Sequence, residues 1–397
     1  MSISDDAIYM DYNSTTPVDP RVAEAMRPYF SEVFGNAAAV VHEFGRRAAA
    51  AVEAARDQTA KLMNASAEEL VFTSGATESC NLAIKGVAQA YRDKGEHIVT
   101  SAAEHKAVLD TCQWLETQGV KVTYLRPDAC GRVSPQQVAE AITDRTILVT
   151  LMLANNEVGT LNPIGEIARV CKDRGVLLHS DATQAVGKIP VDVREMDVDL
   201  LSFSAHKFYG PKGIGGLYVR RRRPRVRPAP QMHGGGHERG LRSGTLNVPG
   251  AVGMGAAADI CRREMSGGSQ RVGKLRDRLA EGLMTRLDDV KRNGAPGESL
   301  PNTLNLSFAH VEGQAVILRM GNVAVSTGSA CTTGSQEPSH VLRAMGLSGD
   351  QAHGSLRFSL GRWTTQEEVD AVIERCVAAV TGLRKLSVIK PLRSGKK

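Results

Sequence analysis

The stretch Ser204-Ala205-His206-Lys207 has the residue types from which a covalent catalytic site can be built. It lies within residues 199–219, which read as two apolar strands joined by the turn Gly210-Pro211-Lys212-Gly213. A lysine at a strand end, partly desolvated and close to other cations, has a lowered pKa and becomes a nucleophile toward carbonyl groups. On this stretch alone, a solvated surface lysine is the more ordinary interpretation, so the rest of the chain must decide.

The elements that would position Lys207 alternate in type along the chain. Strand-like runs occur at 97–101, 121–125, 146–153, 176–180 and 200–204, and helical patterns lie between most of them, at 106–118, 135–142 and 164–174. Apolar strands alternating with helices predict an α/β protein with a largely parallel sheet flanked by helices. In such sheets ligands bind at the carboxyl ends of the strands.

Polar side chains follow the predicted strands at these ends. They are Glu104-His105, Asn155-Asn156-Glu157, Asp181 with Gln184, and Ser204 to Lys207. In addition, the helix opened by Gly75-Ala76-Thr77 offers backbone N–H groups and a hydroxyl to an anion. Each group alone could be a helix cap or a turn, but capping hardly explains all five, so together they predict a binding site.

The C-terminal part predicts a second, smaller α/β unit. Leu304, Leu306 and Phe308 alternate as in a strand, and Thr365 opens a helix with a capping box. We predict a large domain at 15–260 and a small domain made of 1–14 and 261–397. Arg357 lies between apolar strand positions, where it could bind a carboxylate; alone, a surface arginine is the better-supported interpretation.

Cys331 differs from the other six cysteines. It lies in a segment at about 326–335 that has no bulky apolar side chain and is therefore predicted to be a mobile surface loop. Cys112, Cys171 and Cys376 lie in helical patterns, where burial keeps thiols inert. Cys331 is thus the candidate for a reactive thiol, the alternative being an incidental surface cysteine.

Composition excludes several classes of protein. In 397 residues there is no apolar run of about 18 residues, and the acidic N-terminal residues are unlike a signal peptide, which predicts a cytoplasmic protein without a membrane span. Seven scattered cysteines without a Cys-x-x-Cys pair indicate neither a disulfide framework nor a zinc site. The net charge of +6 is concentrated at 220–227 and 384–397, but 4% aromatic content argues against direct nucleic-acid binding. A solvated cluster or a surface for an acidic partner is the better interpretation.

Seven short motifs together resemble the cysteine desulfurases, which are pyridoxal-phosphate enzymes of the class V aminotransferase group. The resemblance is closest to the housekeeping type that serves iron–sulfur cluster assembly, and it runs from about Tyr9 to about Leu386. The motifs are Thr-Ser-Gly-Ala-Thr-Glu-Ser at 73–79, Glu-His at 104–105, Ala-Asn-Asn-Glu at 154–157, Ser-Asp-Ala-Thr-Gln at 180–184, Ser-Ala-His-Lys at 204–207, Gly-Gly-His-Glu-Arg-Gly at 235–240 and Gly-Ser-Ala-Cys-Thr at 328–332.

The resemblance implies a fold-type I pyridoxal-phosphate enzyme that works as a homodimer. Lys207 would hold the cofactor as a Schiff base, Asp181 would face the pyridine nitrogen, and His105 would stack on the ring and move protons. Gln184 would bind the ring hydroxyl, and Asn156 and Arg357 would position the substrate carboxylate. The phosphate would be bound by Ala76, Thr77, Ser204 and His206, with Thr245 from the other subunit.

The implied reaction converts L-cysteine to L-alanine and leaves a persulfide on Cys331. The sulfur would pass to an iron–sulfur scaffold or another acceptor protein, for cluster assembly or related thiolation, and Cys331 could also be a transient cluster ligand. Selenocysteine lyase or a small-substrate aminotransferase of the same fold is the nearest alternative. An inactive scaffold or a basic binding protein is the alternative from another class.

Three departures from the family pattern stand out. Ala205 replaces the usual glycine, Ala37-Ala38-Ala39 replaces a Pro-Ser-Ser-like segment, and the residues after Leu386 lack the family's scaffold-docking tail. The acceptor is therefore left open.

Overall fold

The computed structural model describes residues 7–222, 225–327 and 338–386. It confirms the predicted α/β class, with a mostly parallel central sheet flanked by helices. No helix among these residues is both long enough and apolar enough to cross a membrane.

The central sheet has seven strands, which are β2 (Leu70–Thr73), β3 (His97–Ser101), β4 (Lys121–Leu125), β5 (Thr146–Thr150), β6 (Leu177–Asp181), β7 (Leu200–Ser204) and β8 (Gly215–Val219). Their order in the sheet is β2-β8-β7-β6-β5-β3-β4. Only β8 runs antiparallel to its neighbours, β2 and β7, whereas the other pairings are parallel. All five strands predicted above are present, although β5 ends three residues earlier than expected.

The helices that accompany this sheet are α1 (Pro20–Met26), α2 (Pro28–Ser31), α3 (Glu43–Lys61), α4 (Ala76–Ala90), α5 (Lys106–Glu116), α6 (Pro135–Ala141) and α7 (Ile164–Asp173). Among those that begin with an ordinary side-chain cap are α5 and α6. Ser134 caps α6 with a capping box completed by Gln137, and His105 caps α5 by accepting from the Ala107 amide.

A second sheet has four strands, which are β9 (Val290–Asn293), β10 (Thr303–Phe308), β12 (Ser326–Thr327) and β13 (Ser355–Ser359). Their order is β12-β13-β10-β9, and the sheet is antiparallel throughout. Near the N-terminus, β1 (Ile8–Tyr9) pairs with β11 (Val323–Ala324). The remaining helices are α9 (Gly313–Met320), α10 (His340–Ala344), α11 (Gly349–His353) and α12 (Gln366–Leu386), the last opened by the predicted capping box of Thr365 and Glu368.

The helix α8 (Val248–Met284) connects the two sheets. Its residues up to Cys261 contribute to the core around the central sheet, and those from Val272 onward pack in the core of the second sheet. This change of partner lies close to the proposed domain boundary at 260/261, which stays a proposal.

Two expectations need correction. Arg220, expected in a solvated cluster or partner surface, is only 4% exposed and pairs with Asp197 and Asp199, because β8 places it next to the loop that precedes β7. Arg357 is also 4% exposed rather than a surface residue, since β13 is buried along its whole length between β10 and β12.

Candidate active site

A cavity of about 680 Å³ opens at the carboxyl ends of the central strands. Ten of the predicted site residues line it. They are Ala76, Thr77, His105, Asn156, Asp181, Gln184, Ser204, His206, Lys207 and Arg357. The parallel sheet brings these distant positions together, because strands that run in one direction end at one edge.

One end of the cavity is suited to an anion. Helix α4 begins there at Ala76 behind Gly75, and no side chain of the described part of the chain caps its N-terminus. Gly75 has φ of +155°, a backbone conformation that favours glycine. Unpaired N–H groups at a helix start carry partial positive charge, and Lys212 lines the same cavity.

The ring of His206 borders this region and contacts Thr15, with 3.0 Å between Nδ1 and Oγ1. Burial, and then the positive charges of Lys207 and Lys212, lower the pKa of His206 to about 4. At neutral pH it is therefore an uncharged hydrogen-bonding group.

Lys207 lies at the end of the short helical turn after β7. Its Nζ donates to the backbone oxygens of Asn13 at 2.6 Å and Ser14 at 2.7 Å. The amine thus faces the cavity from the sheet edge while the N-terminal segment holds it in place.

Asp181 ends β6 and is 6% exposed. One carboxylate oxygen accepts from the Thr183 amide at 2.9 Å, which orients the side chain in the cavity wall. A buried carboxylate in this position can bind and stabilise a cationic nitrogen.

His105 follows β3 and caps α5, its Nδ1 accepting from the Ala107 amide at 3.1 Å. An acceptor at Nδ1 places the ring proton on Nε2 in the neutral form. Burial, with a further contribution from the charge of Lys207, lowers the pKa of His105. The side chain is thus a neutral imidazole whose N–H is available to the cavity.

Asn156 and Arg357 form the wall nearest the second sheet. Arg357 donates to the Asn156 backbone oxygen at 3.0 Å and to Asp11 at 2.7 Å, and it also contacts Ser14 and Ser326. Asn156 Oδ1 and Arg357 Nε are buried and have no hydrogen-bond partner among the described residues. Buried polar atoms without partners are rare, so these two are suited to a bound polar ligand.

The remaining two predicted site residues are Thr245 and Cys331. Thr245 is exposed on its own chain and does not line the cavity. Cys331 lies outside the described residues. Of the other six cysteines, five are buried and Cys130 is half-buried, as expected for unreactive thiols.

Sequence reasoning missed Asn13, although a polar cluster at 11–17 was visible. Asn13 is 1% exposed, and its side chain joins Thr303, Asn302 and Lys188 to the backbone of Asn156. Nothing in the spacing of residues near the N-terminus indicates contacts with partners 143 to 290 positions away.

Comparisons with known proteins identify the family. The aminotransferase class-V family matches residues 8–372. The chain is 57% identical over 380 residues to the cysteine desulfurase IscS of Anaeromyxobacter dehalogenans, covering 96% of this chain and 94% of the relative. It is 53% identical over 382 residues to the cysteine desulfurase IscS of Escherichia coli O139:H28, with the same coverage.

Solved structures give the same result. A NifS-like protein superposes with a TM-score of 0.88 at 39% identity, over 95% of this chain and 100% of that chain. SspA in complex with cysteine superposes with a TM-score of 0.80 at 39% identity, over 90% of this chain and 100% of that chain.

The chain therefore belongs to the class-V aminotransferase family. Within that family it is similar to cysteine desulfurases, and the predicted fold-type I architecture is confirmed by its NifS-like neighbours.

Proposed function

We propose that this chain is a pyridoxal-phosphate-dependent cysteine desulfurase, which converts L-cysteine to L-alanine and passes the sulfur on through Cys331. The observation that carries the proposal is the convergence of Lys207, Asp181 and His105 with the open N-terminus of α4 in one cavity. An amine, a buried carboxylate, a neutral imidazole and an anion site are the groups that this cofactor requires.

The described residues fit the cofactor. The α4 N-terminus at Ala76 and Thr77, with Ser204 and His206, would hold its phosphate. Asp181 would bind the pyridine nitrogen, His105 would cover the ring, Gln184 would bind the ring hydroxyl, and Lys207 would bond to the aldehyde carbon. When bound, pyridoxal phosphate supplies an electron sink for the α-carbon of an amino acid.

The remaining residues would act on the substrate. The guanidinium of Arg357 and the amide of Asn156 would bind the carboxylate of cysteine, and the planar fork of Arg357 would fix its orientation. Lys207 would accept and return the α-proton. Since the pKa of His105 is lowered, its ring stays uncharged and would donate a hydrogen bond from Nε2 to the ligand. Any proton that His105 takes up would bind at Nδ1, the nitrogen that carries none in this neutral form.

The sulfur step is assigned to Cys331 from the sequence. Its thiolate would attack the sulfur of the substrate, so that the sulfur–sulfur bond forms as the carbon–sulfur bond breaks. The electron pair of the broken bond stays on carbon, which takes up a proton and leaves as alanine. The persulfide left on Cys331 would then go to an iron–sulfur scaffold or another acceptor protein; transient cluster ligation by Cys331 stays part of this proposal, as does a cytoplasmic location.

A homodimer is the proposed assembly. A patch of large apolar side chains is exposed on the N-terminal helices and the segment between them, and such patches mark protein interfaces. Its members are Phe30, Phe34, Val40, Val41 and Phe44. Thr245, exposed on its own chain, would then complete the phosphate site of a second copy.

The test is incubation of the cofactor-loaded protein with L-cysteine, with alanine and sulfide both measured. A desulfurase forms the two products in equal amounts when a reductant is present, and Lys207→Ala abolishes both.

Cys331→Ala separates the alternatives, because an aminotransferase of this fold has no use for that thiol. Sulfide release at the wild-type rate by Cys331→Ala would contradict the mechanism, and a protein that takes up no cofactor would favour an inactive scaffold.

A further inference from the structure

Lys188 lies behind the cavity wall formed by Gln184, four residues earlier in the chain. Its Nζ donates to Gln184 Oε1 at 2.6 Å and to Asn13 Oδ1 at 3.0 Å. Both acceptors are neutral amide oxygens. The Lys188 backbone is held from α8, where the Ser269 hydroxyl donates to its carbonyl at 2.6 Å. Lys188 is therefore fixed at both its backbone and its side-chain end.

The contact with Lys188 determines which way the Gln184 amide faces. A lysine amine that donates needs an oxygen acceptor, so Oε1 must be the atom beside Nζ. The NH2 group is then on the other side, where Nε2 donates to the Asn13 backbone oxygen at 3.0 Å. That same oxygen accepts from Lys207 at 2.6 Å. The Gln184 NH2 group and the Lys207 amine are thus held next to each other at the cavity.

An amide NH2 has two hydrogens, and the contact with Asn13 uses one of them. A ligand oxygen beside Lys207 would receive the second. In pyridoxal phosphate, the ring oxygen is attached next to the carbon that bonds to the lysine. A flipped amide would instead present its carbonyl oxygen to that negatively charged atom and repel it.

We propose that Lys188 is a positioning residue that fixes Gln184 with its NH2 group toward the cavity, so that the site offers a donor to an anionic oxygen beside Lys207. The inference rests on the proposed function, because that function supplies the ligand. Lys188 acts through Gln184 and touches neither substrate nor cofactor.

Burial, together with the positive charges of Lys207 and Arg357, holds the pKa of Lys188 well below its usual range. Whether charged or neutral, the amine still has a hydrogen to donate to Gln184 Oε1. A flipped amide would also set Oε1 against the Asn13 backbone oxygen, which accepts from Nε2, so the orientation is kept in either protonation state.

The experiment compares three variants loaded with pyridoxal phosphate, namely Lys188→Met, Gln184→Leu and the double variant. Two readouts are used, the dissociation constant of the cofactor and the pH at which the visible absorbance of the loaded protein changes. We expect Lys188→Met to weaken cofactor binding about two- to tenfold, as for one lost hydrogen bond. The absorbance midpoint should move to higher pH, because loss of a donor to the ring oxygen favours the form that retains its proton.

The double variant separates positioning from charge. If Lys188 acts through the amide, Lys188→Met has no further effect on either readout in the Gln184→Leu background. An equal effect in both backgrounds would show action by charge or packing and overturn the proposal, as would an unchanged Lys188→Met protein.

Two control variants accompany these experiments. Lys188→Arg retains a donor and should restore most of the wild-type behaviour, which also excludes misfolding as the cause of the Met phenotype. Lys172→Met removes an exposed lysine that pairs with Asp197, and it should change neither readout.

If the wild-type chain binds pyridoxal phosphate but forms no alanine from cysteine, the desulfurase assignment fails while the Lys188 test still decides this inference. A chain that binds no cofactor overturns both.

Discussion

The Nζ of Lys207 donates to the backbone oxygen of Asn13 at 2.6 Å, across 194 positions of sequence. The side chain of Asn13 in turn reaches Asn302 at 3.0 Å and Thr303 at 2.8 Å, next to the second sheet. Asn13 therefore connects the proposed cofactor-binding lysine to both parts of the fold.

Asn13→Ala should loosen this connection. The substitution leaves the backbone contact to Lys207 but removes the side-chain hydrogen bonds between Asn13 and Asn302, Thr303 and Lys188. We therefore expect a loss of about 1–3 kcal/mol in the free energy of unfolding. Denaturant unfolding of the cofactor-free protein measures it. Asn302→Ala removes one contact to the same side chain and should cost less; an equal or larger loss would contradict the central position of Asn13.

Arg357→Lys tests carboxylate binding. Lysine keeps the positive charge beside Asp11 but loses the planar fork, so we expect KM for L-cysteine to rise about tenfold or more, with a smaller change in kcat. Steady-state kinetics provide both values. An unchanged KM would show that Arg357 does not contact the substrate and only holds Asp11 and the Asn156 backbone.

Glu238→Gln tests a buried ion pair. Arg56 donates to both carboxylate oxygens of Glu238 at 2.7 Å, and their side chains are 3% and 1% exposed. Replacing the carboxylate leaves the buried guanidinium with only the exposed Glu53 as counter-charge, which should cost about 3 kcal/mol or more in stability. Chemical unfolding measures the loss.

The matched control for that variant is Asp370→Asn, which breaks the exposed pair with Arg278. Solvent screens such pairs, so its unfolding midpoint should not change measurably. Equal effects in the two variants would contradict the role assigned to burial.

Glu157→Gln tests the pH dependence of stability. Burial raises the pKa of Glu157 to about 7, although Ser339 donates to its carboxylate and acts in the opposite direction. A folded-state pKa above the ordinary value of 4.5 means that the neutral form is favoured in the folded chain. The stabilisation that the neutral Glu157 carboxyl gives to the folded chain is fully present below about pH 4.5 and is lost as the pH rises through about 7.

The variant cannot ionise, so the wild-type-minus-variant difference in unfolding free energy should fall by about 1–3 kcal/mol across that interval. Urea unfolding at several pH values measures the difference. A difference that is constant with pH would exclude titration of Glu157 in this range.

Two glycines of α8 should respond in opposite ways to replacement by alanine. A Cβ at Gly267 meets nothing within 4 Å, so Gly267→Ala should stabilise the protein by about 0.5–1 kcal/mol through helix propensity. In the same helix, a Cβ at Gly255 would lie 2.6 Å from the Ala55 Cα, and Gly255→Ala should destabilise the protein. Thermal unfolding compares the two, and a gain at Gly255 would contradict the close packing of α3 against α8.

The sequence by itself determined the class of fold and most of the site. Alternating strands and helices placed His105, Asp181 and Lys207 at strand ends, and a parallel sheet brings such ends to one edge whatever the details of packing. The helix start at Ala76 could also be predicted from the sequence, since the first N–H groups of a helix have no partner within the helix. These features follow from short-range periodicity, which a single sequence records.

The tertiary structure alone decided how those groups are held. Asn13, Lys188 and the burial of Arg357 depend on contacts between elements far apart in sequence, and neither spacing nor periodicity records which distant side chain will meet a given one. The orientation of the Gln184 amide is the clearest example, because hydrogen bonds from Lys188 and to Asn13 fix it, and both exist only once the chain is packed.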